Sequence, residues 1–192
     1  DASRFVATKP IGMPANGQTL TREAVVSEWT DSNIKNGTFE GTVREVMRVQ
    51  LLNAIHPMSD LTFNPTAAPG SADWRVLYVS TGDGGTGERN DVSRLNPQRL
   101  DHFGGAIIRI IPDLREHVAT SQVSENGQYR IPNDNPFVST PGARKEIFAY
   151  GMRNPHRMTW DVGGAPGSQD SLLAFVIGSN FGSAVRYETI NI

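Results

Sequence analysis

His56, Asp83, Arg153 and Asn154 are the residues of this 192-residue chain whose types and settings point to chemistry. His56 stands in Ile55-His56-Pro57 and Asp83 in Gly82-Asp83-Gly84-Gly85. Arg153 and Asn154 precede Pro155, at the junction of an apolar run (Ile147 to Tyr150) and an alternating one (Met158 to Asp161). A neutral imidazole can accept a proton near pH 7. A guanidinium stays protonated, and its planar fork of donors suits carboxylate and carbonyl oxygens. Glycines beside Asp83 let the backbone approach a ligand closely. Pro155 fixes the backbone after Arg153-Asn154 and removes a donor that would need a partner. Each residue also has a plainer reading: a turn histidine at a His-Pro step, an Asx turn, a surface arginine beside a hairpin.

The elements that must position these residues read as short strands. Period-two runs bounded by turn residues fall near 43–50, 59–64, 75–81, 105–111, 145–151, 157–161, 171–178 and 187–192, and only 21–29 can also be drawn as a short helix. Two long polar stretches, 83–103 and 112–144, separate them. Loops of that length in a compact domain are usually functional or disordered.

An internal repeat organises the strands. The segments "DLTFNP" and "RVLYVSTGDGG" align with "RMTWDV" and "LLAFVIGSNFG", pairing Leu61 with Met158, Leu77 with Leu173 and Gly82 with Gly178. A further apolar run follows each copy, AIIRI in the first and ETINI in the second. A helix-free unit that recurs and cannot bury both of its faces alone points to sheets arranged radially around a channel, a β-propeller. The loops before the inner strands then converge on one mouth of the channel. The repeat puts His56 and Arg153 at equivalent corners of that mouth, facing one another.

Bulk properties narrow the function. A net charge of -2 carries no electrostatic footprint for nucleic acid. The 38% hydrophobic content is enough for one domain with a sizeable core, and the 12 prolines and 19 glycines spread along the chain suit many strands joined by turns. With no cysteine there is no disulfide framework and no thiolate nucleophile or metal site. No apolar run reaches the length of a membrane span, and the first ten residues have no signal-peptide core. The expectation is a single all-β domain over residues 1–192, truncated at its C-terminal side because the pattern stops in mid-strand at "YETINI".

The ordered stretches "HPMSDLTFNP", "LYVSTGDGG", "FGGAIIRIIPD", "NGQYRIPNDNPF", "IFAYGMRNPHRMTWD" and "ETINI" resemble the soluble quinoprotein aldose sugar dehydrogenases, also called glucose/sorbosone dehydrogenases. The resemblance spans about residues 40 to 192 and implies a six-bladed β-propeller, of which this chain holds about half. It implies pyrroloquinoline quinone (PQQ) and Ca2+ as cofactors, an aldose as substrate, and an external electron acceptor such as a cytochrome or a quinone. It also implies a periplasmic or extracellular location. His56 becomes the base that takes a sugar hydroxyl proton while hydride leaves for the quinone, and Arg153 the group that meets the negative charge growing on reduction. Arg153, Asn154 and Asp83 contact or surround the cofactor, and the backbone carbonyls of Gly178 and Ser179 ligate calcium. Asp91, Asn96 and Gln98 are weaker candidates, while His102, His117 and His156 read as solvated. Where family members often carry Asp or Asn just before the catalytic histidine, this chain has Ile55.

Two other function classes fit the same fold. One is a non-catalytic propeller that binds a protein or glycan, which would have no reason to keep a base and an anion clamp together. The other is a calcium-dependent hydrolase such as a lactonase, which needs buried carboxylates around an ion, with Asp83, Asp91 and Glu188 the candidates.

Overall fold

A computed structural model describes residues 7–12, 19–20, 22–162 and 171–176. The expected strands of 187–192 and the carbonyls of Gly178 and Ser179 lie outside these residues. The described chain is almost entirely strand and turn, with no α-helix among them.

Of residues 21–29, open to either reading from the sequence, the described part from Arg22 on forms a strand. β1 (Arg22–Asp31) pairs antiparallel with β2 (Gly41–Leu51), from Arg22 opposite Leu51 to Asp31 opposite Gly41. Its adjacent β-branched residues Val25 and Val26 favour this extended backbone, and the long partner strand fixes it.

The centre of the molecule is a four-stranded antiparallel sheet in the order β3 (Met58–Phe63), β4 (Leu77–Thr81), β5 (Ala106–Ile110) and β8 (Ile147–Ala149). Between β5 and β8 the chain makes a small hairpin of β6 (Ser121–Val123) and β7 (Arg130–Pro132). The next antiparallel pair, β9 (Pro155–Asp161) and β10 (Ser171–Val176), lies beside the central sheet. There the Met158 N–H donates to Asp60 Oδ2 across 2.7 Å.

All five residues of β4 and all five of β5 are buried, because the central sheet is covered on both faces. On one face Leu77, Val79, Ile108, Ile110 and Ile147 pack with Val46, Met47, Val49 and Leu51 of β2 and with Phe103 and Tyr129. On the other, Tyr78, Ile107 and Ala149 pack with Met152 and Met158, and Trp160 closes the contact. The Tyr78 ring meets Phe148 and Trp160 edge to face at 5.3 and 5.1 Å. A four-stranded meander sandwiched face to face between successive antiparallel pairs is the blade stacking of a β-propeller, and this chain is a partial one.

The repeat survives in three dimensions with one correction. Leu61 lies opposite Val79 and Phe63 opposite Leu77, while Met158 lies opposite Ala174 and Trp160 opposite Leu172. Leu77 therefore corresponds to Leu172, not Leu173. A slip of one residue turns a strand's side chains to the opposite face. Accordingly Leu172, Ala174 and Val176 pack inward, whereas Leu173 and Phe175 are exposed. Both copies carry one extra residue at the same place, Ser59 in β3 and His156 in β9, so the bulge belongs to the repeated unit.

The two polar stretches are ordered. In 83–103 the chain makes two 3-10 segments, Thr86–Glu88 and Val92–Gln98, and 112–144 contains the β6–β7 hairpin.

Candidate functional site

The turn after β4 is the hub of the site. Gly82 N–H donates to the Pro57 carbonyl at 3.1 Å, Gly84 N–H to the His56 carbonyl at 3.1 Å, and Asp83 N–H to the Arg153 carbonyl at 2.8 Å. One short segment thus ties the corner before β3 to the corner before β9. A side chain at Gly82 has no room, since its Cβ would lie 2.5 Å from the His56 carbonyl oxygen and 2.6 Å from the His56 Cβ.

The Asp83 side chain is fully buried. Its Oδ1 accepts from Gly85 N–H at 2.9 Å and faces His56 Nδ1 at 2.8 Å, and its Oδ2 accepts from Gly87 N–H at 2.7 Å. A carboxylate only accepts hydrogen bonds, so His56 Nδ1 is the donor, and in the neutral ring the lone pair is on Nε2. His56 holds a left-handed backbone conformation, φ 51, that a non-glycine residue adopts only when its surroundings impose it. The imposing contacts are those of Gly82 and Gly84.

Arg153 donates from a terminal guanidinium nitrogen to Glu88 Oε1. Its Nε lies across Gly87 from Asp83: a Cβ on Gly87 would sit 2.9 Å from Arg153 Nε and 2.7 Å from Asp83 Oδ2. Glycine at position 87 is what allows the two groups to come so near. Asn154 is buried, and its Oδ1 has no hydrogen-bond partner; Thr81 Oγ1 and Thr86 Oγ1 are likewise buried without one. Orphaned polar atoms on β4 and its following turn and on the corner before β9 suit a polar ligand, because a buried acceptor left unpaired is costly.

The structure thus brings His56, Asp83 and Arg153 into one cluster, with buried Asn154 next to Arg153 along the chain. His56 and Arg153 are linked through Asp83, and Asp83 has both oxygens occupied by protein donors. Glu88 is a member that sequence reasoning missed; its only signal was an acidic residue five positions after Asp83 in the same glycine-rich stretch. Of the weaker candidates, Asp91 caps the Val92–Gln98 segment by accepting from Ser93 N–H at 2.9 Å, and the capping hydrogen bonds from Ser93 hold its carboxyl below the usual range. Asn96 is buried and Gln98 is exposed.

None of the three histidines read as solvated is fully exposed: His156 is half-buried in β9. His102 is fully buried and accepts at Nδ1 from Gly104 N–H at 2.9 Å, and burial pushes its pKa down to about 4. His117 is half-buried, with Nε2 2.7 Å from the Trp74 carbonyl. The 83–103 stretch buries the His102 ring, and the His117 ring is held against the turn before β4.

Among the described residues no group of three or more His, Asp or Glu is placed to hold a metal ion. None of their helices is long and apolar enough to cross a membrane.

Residues 53–166, which include the whole cluster, match the model of the family described as Glucose / Sorbosone dehydrogenase. The chain belongs to the glucose/sorbosone dehydrogenase family. This family member is 30% identical over 154 residues to the HIPL2 protein of Arabidopsis thaliana, an alignment covering 76% of the chain and 20% of that protein. It is 38% identical over 72 residues to the aldose sugar dehydrogenase YliI of Escherichia coli (strain K12), covering 38% of the chain and 15% of the relative. The chain therefore spans about a fifth or less of the length of these curated relatives. The crystal structure of the soluble aldose sugar dehydrogenase from Escherichia coli in the apo-form is 22% identical, with a TM-score of 0.38 over 83% of this chain and 44% of that one.

Proposed function

We propose that the protein to which this chain belongs oxidises the anomeric carbon of an aldose to a lactone, with His56 as base and with PQQ as its redox cofactor. The observation that carries the proposal is the contact of His56 Nδ1 with buried Asp83 Oδ1 at 2.8 Å, beside the Arg153-Asn154 corner. PQQ would supply the two-electron acceptor for the hydride, with an external carrier such as a cytochrome or a quinone as the final electron sink. His56 takes the anomeric hydroxyl proton at Nε2, the nitrogen left free by the Asp83 contact. Asp83 fixes the ring's orientation and offsets the charge of the imidazolium that forms. Arg153, through its protonated guanidinium, and Asn154, through its amide NH2, hold the cofactor's carboxylate and carbonyl oxygens, while the unpaired Asn154 Oδ1 is open to a donor. Calcium, an aldose-binding surface and a location outside the cytoplasm are part of the same reading by family membership; no step is drawn through the ion. A pure binding module has no use for a carboxylate that orients an imidazole.

The test is a titration of the full-length protein with PQQ in the presence of calcium, followed by the quinone absorbance. A complex should form at micromolar cofactor, on the order of ordinary cofactor affinities. His56→Ala should leave that complex intact and lower sugar oxidation by roughly two to four powers of ten, the contribution of a general base. No complex, or unchanged turnover in the variant, overturns the reading.

A further inference from the structure

The contact between Arg153 and Glu88 has no part in the reaction just described, and it places a carboxylate where an anionic ligand would have to bind. We propose that Glu88 is the resident counter-ion of Arg153, and that an anion reaches this guanidinium only by displacing it, so that Glu88 sets the anion affinity of the site. The inference rests on the reading of Arg153 as a ligand clamp and adds the residue that governs it.

The geometry indicates which partner gives way. The Arg153 backbone is pinned by the hydrogen bond from Asp83 N–H at 2.8 Å, and its side chain is 11% exposed. The Glu88 side chain is 27% exposed and stands at the end of a three-residue 3-10 segment, with Arg89 beyond it already extended. Glu88 can turn into solvent while Arg153 stays. Charge makes the exchange consequential. Asp83 and Glu88 are two carboxylates against one guanidinium, so with His56 neutral the cluster carries one excess negative charge. Arg89, the neighbouring cation, is engaged with Asp91 at 3.5 Å. An incoming anion meets a net negative cluster while Glu88 remains and a neutral one once it has gone, so the repulsion is relieved and the guanidinium donor is opened. Removing the partly exposed partner of an ion pair leaves the more buried charge less compensated and more receptive to a replacement.

The test compares the full-length wild type with Glu88→Gln, and uses Asp91→Asn as a control that removes one charge from the same loop. PQQ binding is followed by quenching of tryptophan fluorescence. Independently, the modification of Arg153 by phenylglyoxal is followed by mass spectrometry of the peptide that contains it. Glu88→Gln should tighten PQQ binding about tenfold, the equivalent of one charged contact, and speed modification of Arg153. Asp91→Asn should change each less than about twofold, because exposed charges are screened. Unchanged or weaker binding with unchanged modification in Glu88→Gln overturns the inference and leaves the oxidoreductase reading standing. Equal effects in both variants also overturn it, since net charge rather than the contact would then be the cause. If neither protein binds PQQ but Arg153 reacts faster in Glu88→Gln, the cofactor assignment is lost and the counter-ion role is upheld.

Discussion

The corner before β3 and the corner before β9 occupy the same place in successive copies of one strand pair, yet they hold their side chains by different means. Each is followed by the same one-residue bulge, and each docks on the turn at residues 82–85. The first corner offers a strained backbone and a side chain, His56, that meets Asp83 directly. The second offers its backbone carbonyl to Asp83 and sends its guanidinium on to Glu88. Repetition supplied the two positions. The glycine-rich loop of the first copy, which lies between them, supplied the contacts that make the positions differ.

Removing the shared hub should affect both corners and give the largest effect. Asp83→Ala leaves His56 Nδ1 and the Gly85 and Gly87 N–H groups without their acceptor. We expect a loss of roughly 4 kcal/mol in urea unfolding, at about 1–3 kcal/mol for each buried group left unpaired. A loss below about 1 kcal/mol would mean that the corners are held elsewhere.

The loop itself can be probed through His102, whose pKa is lowered to about 4 by burial. Between pH 6.5 and 4 the unfolded chain binds a proton here that the folded chain refuses, so stability is full above pH 6.5 and falls as the pH drops through that window. His102→Asn keeps an acceptor for Gly104 N–H and removes the titration. The difference in stability between wild type and variant should shift by up to about 3 kcal/mol across the window, and a pH-independent difference would contradict the burial of this ring.

Two smaller changes separate the corners. Gly82→Ala drives a methyl group into the His56 backbone and should cost about 2 kcal/mol, as overpacking does; hydrogen exchange at Gly84 should rise with it. Asp60→Ala removes the acceptor for Met158 N–H between the two strand pairs and should cost about 1 kcal/mol. Thermal unfolding that ranks these two in the opposite order would reverse the view that the turn, more than the seam between strand pairs, fixes the site.

Strands with a buried face were legible from their pattern: β2 to β5 and β8 to β10 lie within the expected runs, give or take a few residues. The hairpin of β6 and β7 was not, because three residues such as Ser121–Val123 are too few to display a period. The Leu77 register slipped by one because β10 is apolar at adjacent positions, Leu172 and Leu173, and only the facing layer shows which of them points inward. His56, Asp83, Arg153 and Asn154 were findable as chemistry-bearing types at turns. Glu88 escaped because its meaning comes from a partner 65 residues away, and His102 because its polar neighbours concealed a loop that closes over it.

The turn at 82–88 also bears on the order in which the molecule acquires its parts. It binds a residue 27 positions earlier and another 65 positions later, and contacts so distant along the chain are paid for in loop-closure entropy before they return anything. Nascent chains in which the central meander has already formed would still lack the Arg153 corner until β9 arrives, so completion of the His56–Asp83–Arg153 cluster is a late event of folding rather than a property of the first stable sheet.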